Sequence, residues 1–167
     1  MELTDQLLQM IHDSGGSVPL IGWNEPVVTI KCIAGNPQTP PAVLRILATY
    51  DVIAVVERVA ENGNSGIEVL RTLAVHPCSE VRTALADNPT LSSDLLELLV
   101  QDQCPDVRYR IAENHNLPRW VIEELVNDDN PYVADRATHT LQRLDRKHGV
   151  IETVKSWFRG DQQTANG

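Results

Sequence analysis

Apolar residues in this chain return at a fixed step of 26. Ile33-Ala34, Val59-Ala60, Leu85-Ala86 and Ile111-Ala112 keep one register, and Asn36, Asn62, Asn88 and Asn114 follow two positions after each Ala. Val43, Val69, Leu95 and Val121 hold a second register, and Leu47, Leu73, Leu99 and Leu125 a third. Val55, Val81, Val107 and Val133 hold a fourth, with Arg82 and Arg108 following two of them. Self-similarity at one spacing without gaps is the mark of a repeat architecture.

Each unit predicts two short helices. In residues 105–130, Val107, Ile111 and Ala112 share one face of a first helix by the i, i+4 rule, with Asp106 near its positive end. Asn114 then ends it, in the left-handed conformation that Asn tolerates. Pro118 opens a second helix whose stripe is Val121, Ile122, Leu125 and Val126. Thr39-Pro40-Pro41 and Ser92-Ser93-Asp94 read as other second-helix starts, the latter with hydroxyl caps. Gly63 and Gly66 predict a looser turn in the second unit. One helix pair cannot bury its apolar face alone, so the units must stack.

The expected fold is an all-α, right-handed α-solenoid of about four 26-residue two-helix repeats. Its parts are an N-terminal helix and capping segment over 1–26, repeats over 27–52, 53–78, 79–104 and 105–130, and a partial repeat over 131–148. A C-terminal helix over 149–160 and a disordered polar tail over 161–167 complete it. A helix over 4–12 and the segment around Trp23 are expected to cap the first repeat. In the last helix Val150, Ile151, Val154, Trp157 and Phe158 fall at helical spacing. Trp157 and Phe158 read either as a lid on the last repeat's core or as an exposed anchor for a partner, which could also pair two copies.

VRTALADNPTLSSDLLELL and VRYRIAENHNLPRWVIEEL resemble the repeat of the leucine-rich repeat variant proteins, which are bacterial solenoids akin to HEAT repeats. The likeness covers roughly residues 27 to 148. It implies an elongated, curved superhelix and no single activity, since repeat folds carry binding faces. One type in that family adds an iron–sulfur module, which needs a four-Cys cluster; this chain has three Cys.

Composition narrows the function. Aromatic residues make up 4% of the chain, with one Phe, so Leu, Ile, Val and Ala must build the core. Net charge is −9, from 14 Lys and Arg against 23 Asp and Glu. That sign argues against direct nucleic-acid binding, which needs a basic stripe, and against anionic membrane. It favours a partner protein, one with a basic surface among the candidates. The last helix is locally basic, with Arg143, Arg146, Lys147, Lys155 and Arg159. Three cysteines suit a reducing cytoplasm better than a disulfide framework. Cys78 and Cys104 share a column, but stacked repeats place them about 10 Å apart, beyond the roughly 7 Å reach of a disulfide. His12, His76, His115, His139 and His148 form no metal motif, and neither a phosphate loop nor a nucleophile elbow occurs. No catalytic residue, metal or cofactor is therefore expected.

A non-catalytic protein–protein interaction module, acting as adaptor, scaffold or regulator, fits these features. Its candidate contacts are Tyr109, Arg110, His115, Arg119, Trp120, Glu123, Trp157 and Phe158. Trp120 is the leading anchor, because its column holds Ala42 and Glu68 in earlier units; packing against the adjacent loop is its other reading. The alternative is an acidic nucleic-acid mimic that occupies the basic groove of a DNA- or RNA-binding protein, since residues 79–130 hold eleven acids against four Arg. A helical-repeat DNA glycosylase would need a basic concave face that this chain lacks. The expected state is a monomer or weak homodimer in the cytoplasm.

Overall fold

The computed structural model describes residues 27–160, with side chains described as far as Arg146. The expected N-terminal helix and Trp23 cap lie outside the described residues, as does the tail over 161–167. Among the described residues all regular structure is helical. The helices are α1 (Val27–Gly35), α2 (Pro41–Leu47), α3 (Ile53–Glu61), α4 (Ile67–Ala74), α5 (Ser79–Leu85), α6 (Ser93–Val100), α7 (Pro105–Glu113), α8 (Arg119–Glu124) and α9 (Pro131–Gly160). A tight 3₁₀ turn, Leu125–Asn127, follows α8 and carries the buried Leu125 that the sequence places on the second helix.

The odd-numbered helices pack in succession, α1 on α3, α3 on α5, α5 on α7 and α7 on α9. The even-numbered helices α4, α6 and α8 pack on one another in a second row. Between the rows lies a single aliphatic core. Val55, Val59, Val81, Leu85, Val107 and Ile111 come from the first row, and Leu70, Leu73, Leu99, Val121 and Ile122 from the second, all 1% exposed or less. At roughly 1.5–3 kcal/mol per buried aliphatic side chain this burial is the main stabilising term.

The asparagines do different work from that expected. Asn62 and Asn114 end α3 and α7 in extended conformations, at φ −75°, ψ 117° and φ −79°, ψ 93°, and not in the left-handed region. Each side chain instead bonds in two directions. Asn62 Oδ1 accepts from the N–H of Asn64 and Asn88 Oδ1 from that of Thr90, both at 2.9 Å, which turns the loop. Asn62 Nδ2 donates to Ala34 O (2.7 Å) and Asn36 O (2.9 Å). Asn88 Nδ2 donates to Ala60 O (2.6 Å) and Asn62 O (2.9 Å), and Asn114 Nδ2 to Ala86 O (3.0 Å). Helix C-terminal carbonyls lack intrahelical partners, so these amides satisfy buried orphans and lace each odd helix to the one before.

The two repeated arginines tie the even side. Arg82 Nε and Nη2 grip Asp102 at 2.7 and 2.9 Å while Nη1 donates to His76 O at 2.7 Å. Arg108 repeats the pattern on Asp128 and on Asp102 O. Where Val56 stands in the arginine column, His76 stands in the aspartate column, and its Nδ1 accepts from the Cys78 N–H that a carboxylate would otherwise take. Burial alone would raise the Asp102 carboxyl, but hydrogen bonds from Arg82 and the Cys104 N–H outweigh it and hold the carboxyl below its ordinary value. Asp128 is lowered chiefly by Arg108.

Three further expectations are corrected. The turn over Gly63–Gly66 is closely bonded: Ser65 is 5% exposed and its hydroxyl donates to Val59 O at 2.6 Å. Ser92 stands at the start of α6 but makes no capping hydrogen bond. The separation of a partial repeat from a C-terminal helix at 148/149 does not occur in the backbone, because α9 runs unbroken for 30 residues. No proline interrupts it after Pro131. Among the described residues no helix is long and apolar enough to cross a membrane.

Candidate docking surface

Three columns of the odd helices face away from the core. Glu57, Thr83, Tyr109 and Asp135 form one, Arg58, Ala84, Arg110 and Arg136 the next, and Glu61, Asp87, Glu113 and His139 the third. All twelve positions lie on α3, α5, α7 and α9, and they line two surface grooves.

The groove along α3, α5 and α7 encloses about 450 Å³ and is acidic, with Glu57, Glu61, Glu80 and Asp106 on its walls. Arg110 crosses it: Nε and Nη2 bind Asp87 at 2.9 and 2.6 Å, and Nη1 reaches Glu113 at 3.1 Å. The groove between α7 and α9 is larger, about 700 Å³. Tyr109, Glu113 and His115 form one wall, and Tyr132, Arg136, His139 and Arg143 the other. Spacings of 4, 3 and 4 residues put those last four on one stripe of α9.

Arg136 is held by a phenol: Nε and Nη2 donate to Tyr109 Oη at 3.0 and 2.7 Å, and the guanidinium carbon lies 5.2 Å from the ring centroid. Its distance to Glu113 is 3.5 Å. His139 Nδ1 sits 3.0 Å from Asp135 O and 3.3 Å from that residue's carboxylate.

The sequence-derived contacts are thereby divided. Tyr109 and His115 face each other's groove, and Arg110 lies in the neighbouring one. Arg119 and Glu123 lie on α8, bonded to each other at 2.7 Å, with Arg119 also reaching Asp145 on α9 at 2.5 Å. Trp120, on the same helix, is half-buried and packs against the core. Trp157 and Phe158 stand in α9, and their side chains lie outside the described set. The α9 half of the larger groove was missed by sequence reasoning, although Tyr132, Arg136, His139 and Arg143 carry a legible i, i+4, i+7, i+11 pattern. No protein-family model matches the chain, and no curated protein or solved structure does.

Proposed function

We propose that the chain is a right-handed α-solenoid of the leucine-rich repeat variant kind, with four 26-residue units, and that it works as a non-catalytic protein-interaction module. The row of odd helices is its docking face. One observation carries this: core columns stay aliphatic from unit to unit, while the three outward columns change from Glu to Thr, Tyr and Asp, or from Arg to Ala and back to Arg. A solenoid presents a long surface whose specificity resides in such variable positions. A basic stretch of the partner suits the acidic groove along α3, α5 and α7. Much of the central negative charge is engaged internally, Asp87, Asp102 and Asp128 each holding an arginine. That favours a protein partner over the regular phosphate-like array of a nucleic-acid mimic.

Capture from nuclease-treated lysate at low and high salt tests the reading. Glu57→Arg and Tyr109→Ala, on the docking face, are expected to lose a partner that Glu97→Arg, exposed on the even row, retains. Trp120→Ala reports whether the face extends to α8. Equal loss from both rows, or capture insensitive to all four changes, would refute the assignment of the face.

A further inference from the structure

The asparagine ladder stops at residue 140. In register with Asn62, Asn88 and Asn114, that position would reach back to the carbonyls of Ala112 and Asn114; it is Thr, too short to cross. The lacing that closes the seam between successive odd helices is therefore missing between α7 and α9, and the larger groove opens there. Thr140 lines it, only 7% exposed, and its hydroxyl makes no hydrogen bond among the described residues. A buried hydroxyl without a partner costs free energy, so it marks a place where a ligand group is missing.

The charges around it reduce to one free cation. Glu113 is engaged by Arg110 and Arg136, Asp135 by His139, and Arg136 by the Tyr109 phenol. Arg143, one turn from Thr140 on the same stripe of α9, is exposed and has no ion pair among the described residues. Beside them stands the Tyr132 ring, 77% exposed. One unpaired guanidinium and one unpaired hydroxyl donor match a singly charged, planar acceptor, which a guanidinium fork takes with two parallel hydrogen bonds. A phosphate dianion would meet two carboxylates across the groove with only one unpaired cation to balance it.

We infer that the α7–α9 groove binds a carboxylate presented by a protein partner, against the sign of the chain's overall charge. The inference rests on the docking face proposed above and names what one end of that face recognises. The carboxylate belongs either to an acidic side chain or to a chain terminus.

Fluorescence anisotropy with three labelled peptides tests it near physiological ionic strength: hexaglutamate amide, hexaglycine with a free C-terminal carboxylate, and hexalysine amide. The full chain is expected to bind one of the first two. Arg143→Ala should weaken that peptide about tenfold, as when a charge-assisted hydrogen bond is lost. Thr140→Val, isosteric, should weaken it about threefold. Arg146→Ala, exposed on the same helix outside the groove, should stay within about twofold, and hexalysine should lose nothing in Arg143→Ala. Preference for hexaglutamate amide assigns a side-chain carboxylate, and preference for hexaglycine assigns a terminus. Binding of neither, or equal losses in Arg143→Ala and Arg146→Ala, overturns the inference. If lysate capture still depends on Glu57 and Tyr109 in that case, the docking face stands without it.

Discussion

Asn88→Ala is the most direct probe of the lacing. Asn88 is 1% exposed and makes four hydrogen bonds: to Ala60 O at 2.6 Å and Asn62 O at 2.9 Å, and from Thr90 N at 2.9 Å and Thr90 Oγ1 at 2.7 Å. The losses are unequal. Asn62 O keeps the N–H of Ser65 at 3.0 Å, whereas Ala60 lies wholly buried and its carbonyl has no second donor among the turn and loop bonds. An orphaned buried carbonyl costs roughly 1–3 kcal/mol, and the remaining bonds contribute about 1 kcal/mol more. A total near 3 kcal/mol follows, which lowers Tm by about 6–12 °C in a domain of this size. Asn36→Ala is the control, since Asn36 is exposed and its side chain only accepts from Gln38 N; it should cost under about 1 kcal/mol. Asn88→Asp sharpens the test. It keeps the acceptor toward Thr90 but turns a carboxylate oxygen on two carbonyls, so at pH 7 it should be at least as unstable as Asn88→Ala. Below about pH 4 the acid regains a proton to donate, and the gap to Asn88→Ala should narrow. Urea unfolding followed by circular dichroism measures all four proteins. If Asn88→Ala falls within about 0.5 kcal/mol of Asn36→Ala, the lacing is not what holds successive helices together.

Arg82→Ala strands Asp102, whose side chain is 7% exposed, and should cost about 3 kcal/mol by urea denaturation; replacing exposed Arg58 should cost under about 0.5 kcal/mol. Asp102 and Asp128 both titrate below their ordinary value in the fold. Their contribution is thus complete above an unfolded pKa of about 3.9 and lost as pH falls through the lower folded values. Stability should fall steeply below about pH 4, and Arg82→Ala/Arg108→Ala should flatten that limb; an unchanged limb would assign it to other carboxylates. Gly63→Ala places a Cβ 2.9 Å from the Pro89 ring, and should cost about 1 kcal/mol. Gly66→Ala meets nothing within 4 Å at an ordinary extended φ of −65°, and should gain about 0.5 kcal/mol; calorimetry should move the two Tm values in opposite directions.

How much of this was legible depended on the distance between partners. Helix positions were readable because Val107, Ile111 and Ala112 declare a helical face within six residues, and the same face recurs every 26. The ties of Arg82 and Arg108 to neighbouring loops were also foreseeable, since both arginines precede an acid-bearing loop by a fixed 20 residues. The asparagines were misread because their decisive partners lie 26 and 28 residues back and are backbone carbonyls, which carry no sequence signature. Local propensity pointed to a left-handed cap, and the longer-range bond prevailed. Ser92 shows the same limit: a good capping residue need not cap. The larger groove was hidden for a related reason. Its opening comes from a missing crossing at Thr140, visible only once the crossings at 62, 88 and 114 are known.

The overall charge was the least reliable guide to the candidate site. Taken over the chain, −9 points to a basic partner. Resolved into contacts, Asp102 and Asp128 neutralise arginines in near-dry sites, and Asp87 and Glu113 neutralise another across the first groove. Those charges stiffen the stack and give little to the outer field, which screening confines to about 8 Å at physiological ionic strength. What a partner meets on the odd row is set group by group: unpaired carboxylates such as Glu57 and Asp106 along α3, α5 and α7, then an unpaired arginine and hydroxyl on α9. A face that changes sign along its length orients what it binds, because a segment docked in reverse would set like charges against each other at both ends. The charge pattern of the odd row therefore bears on the direction in which a partner lies as well as on its sign.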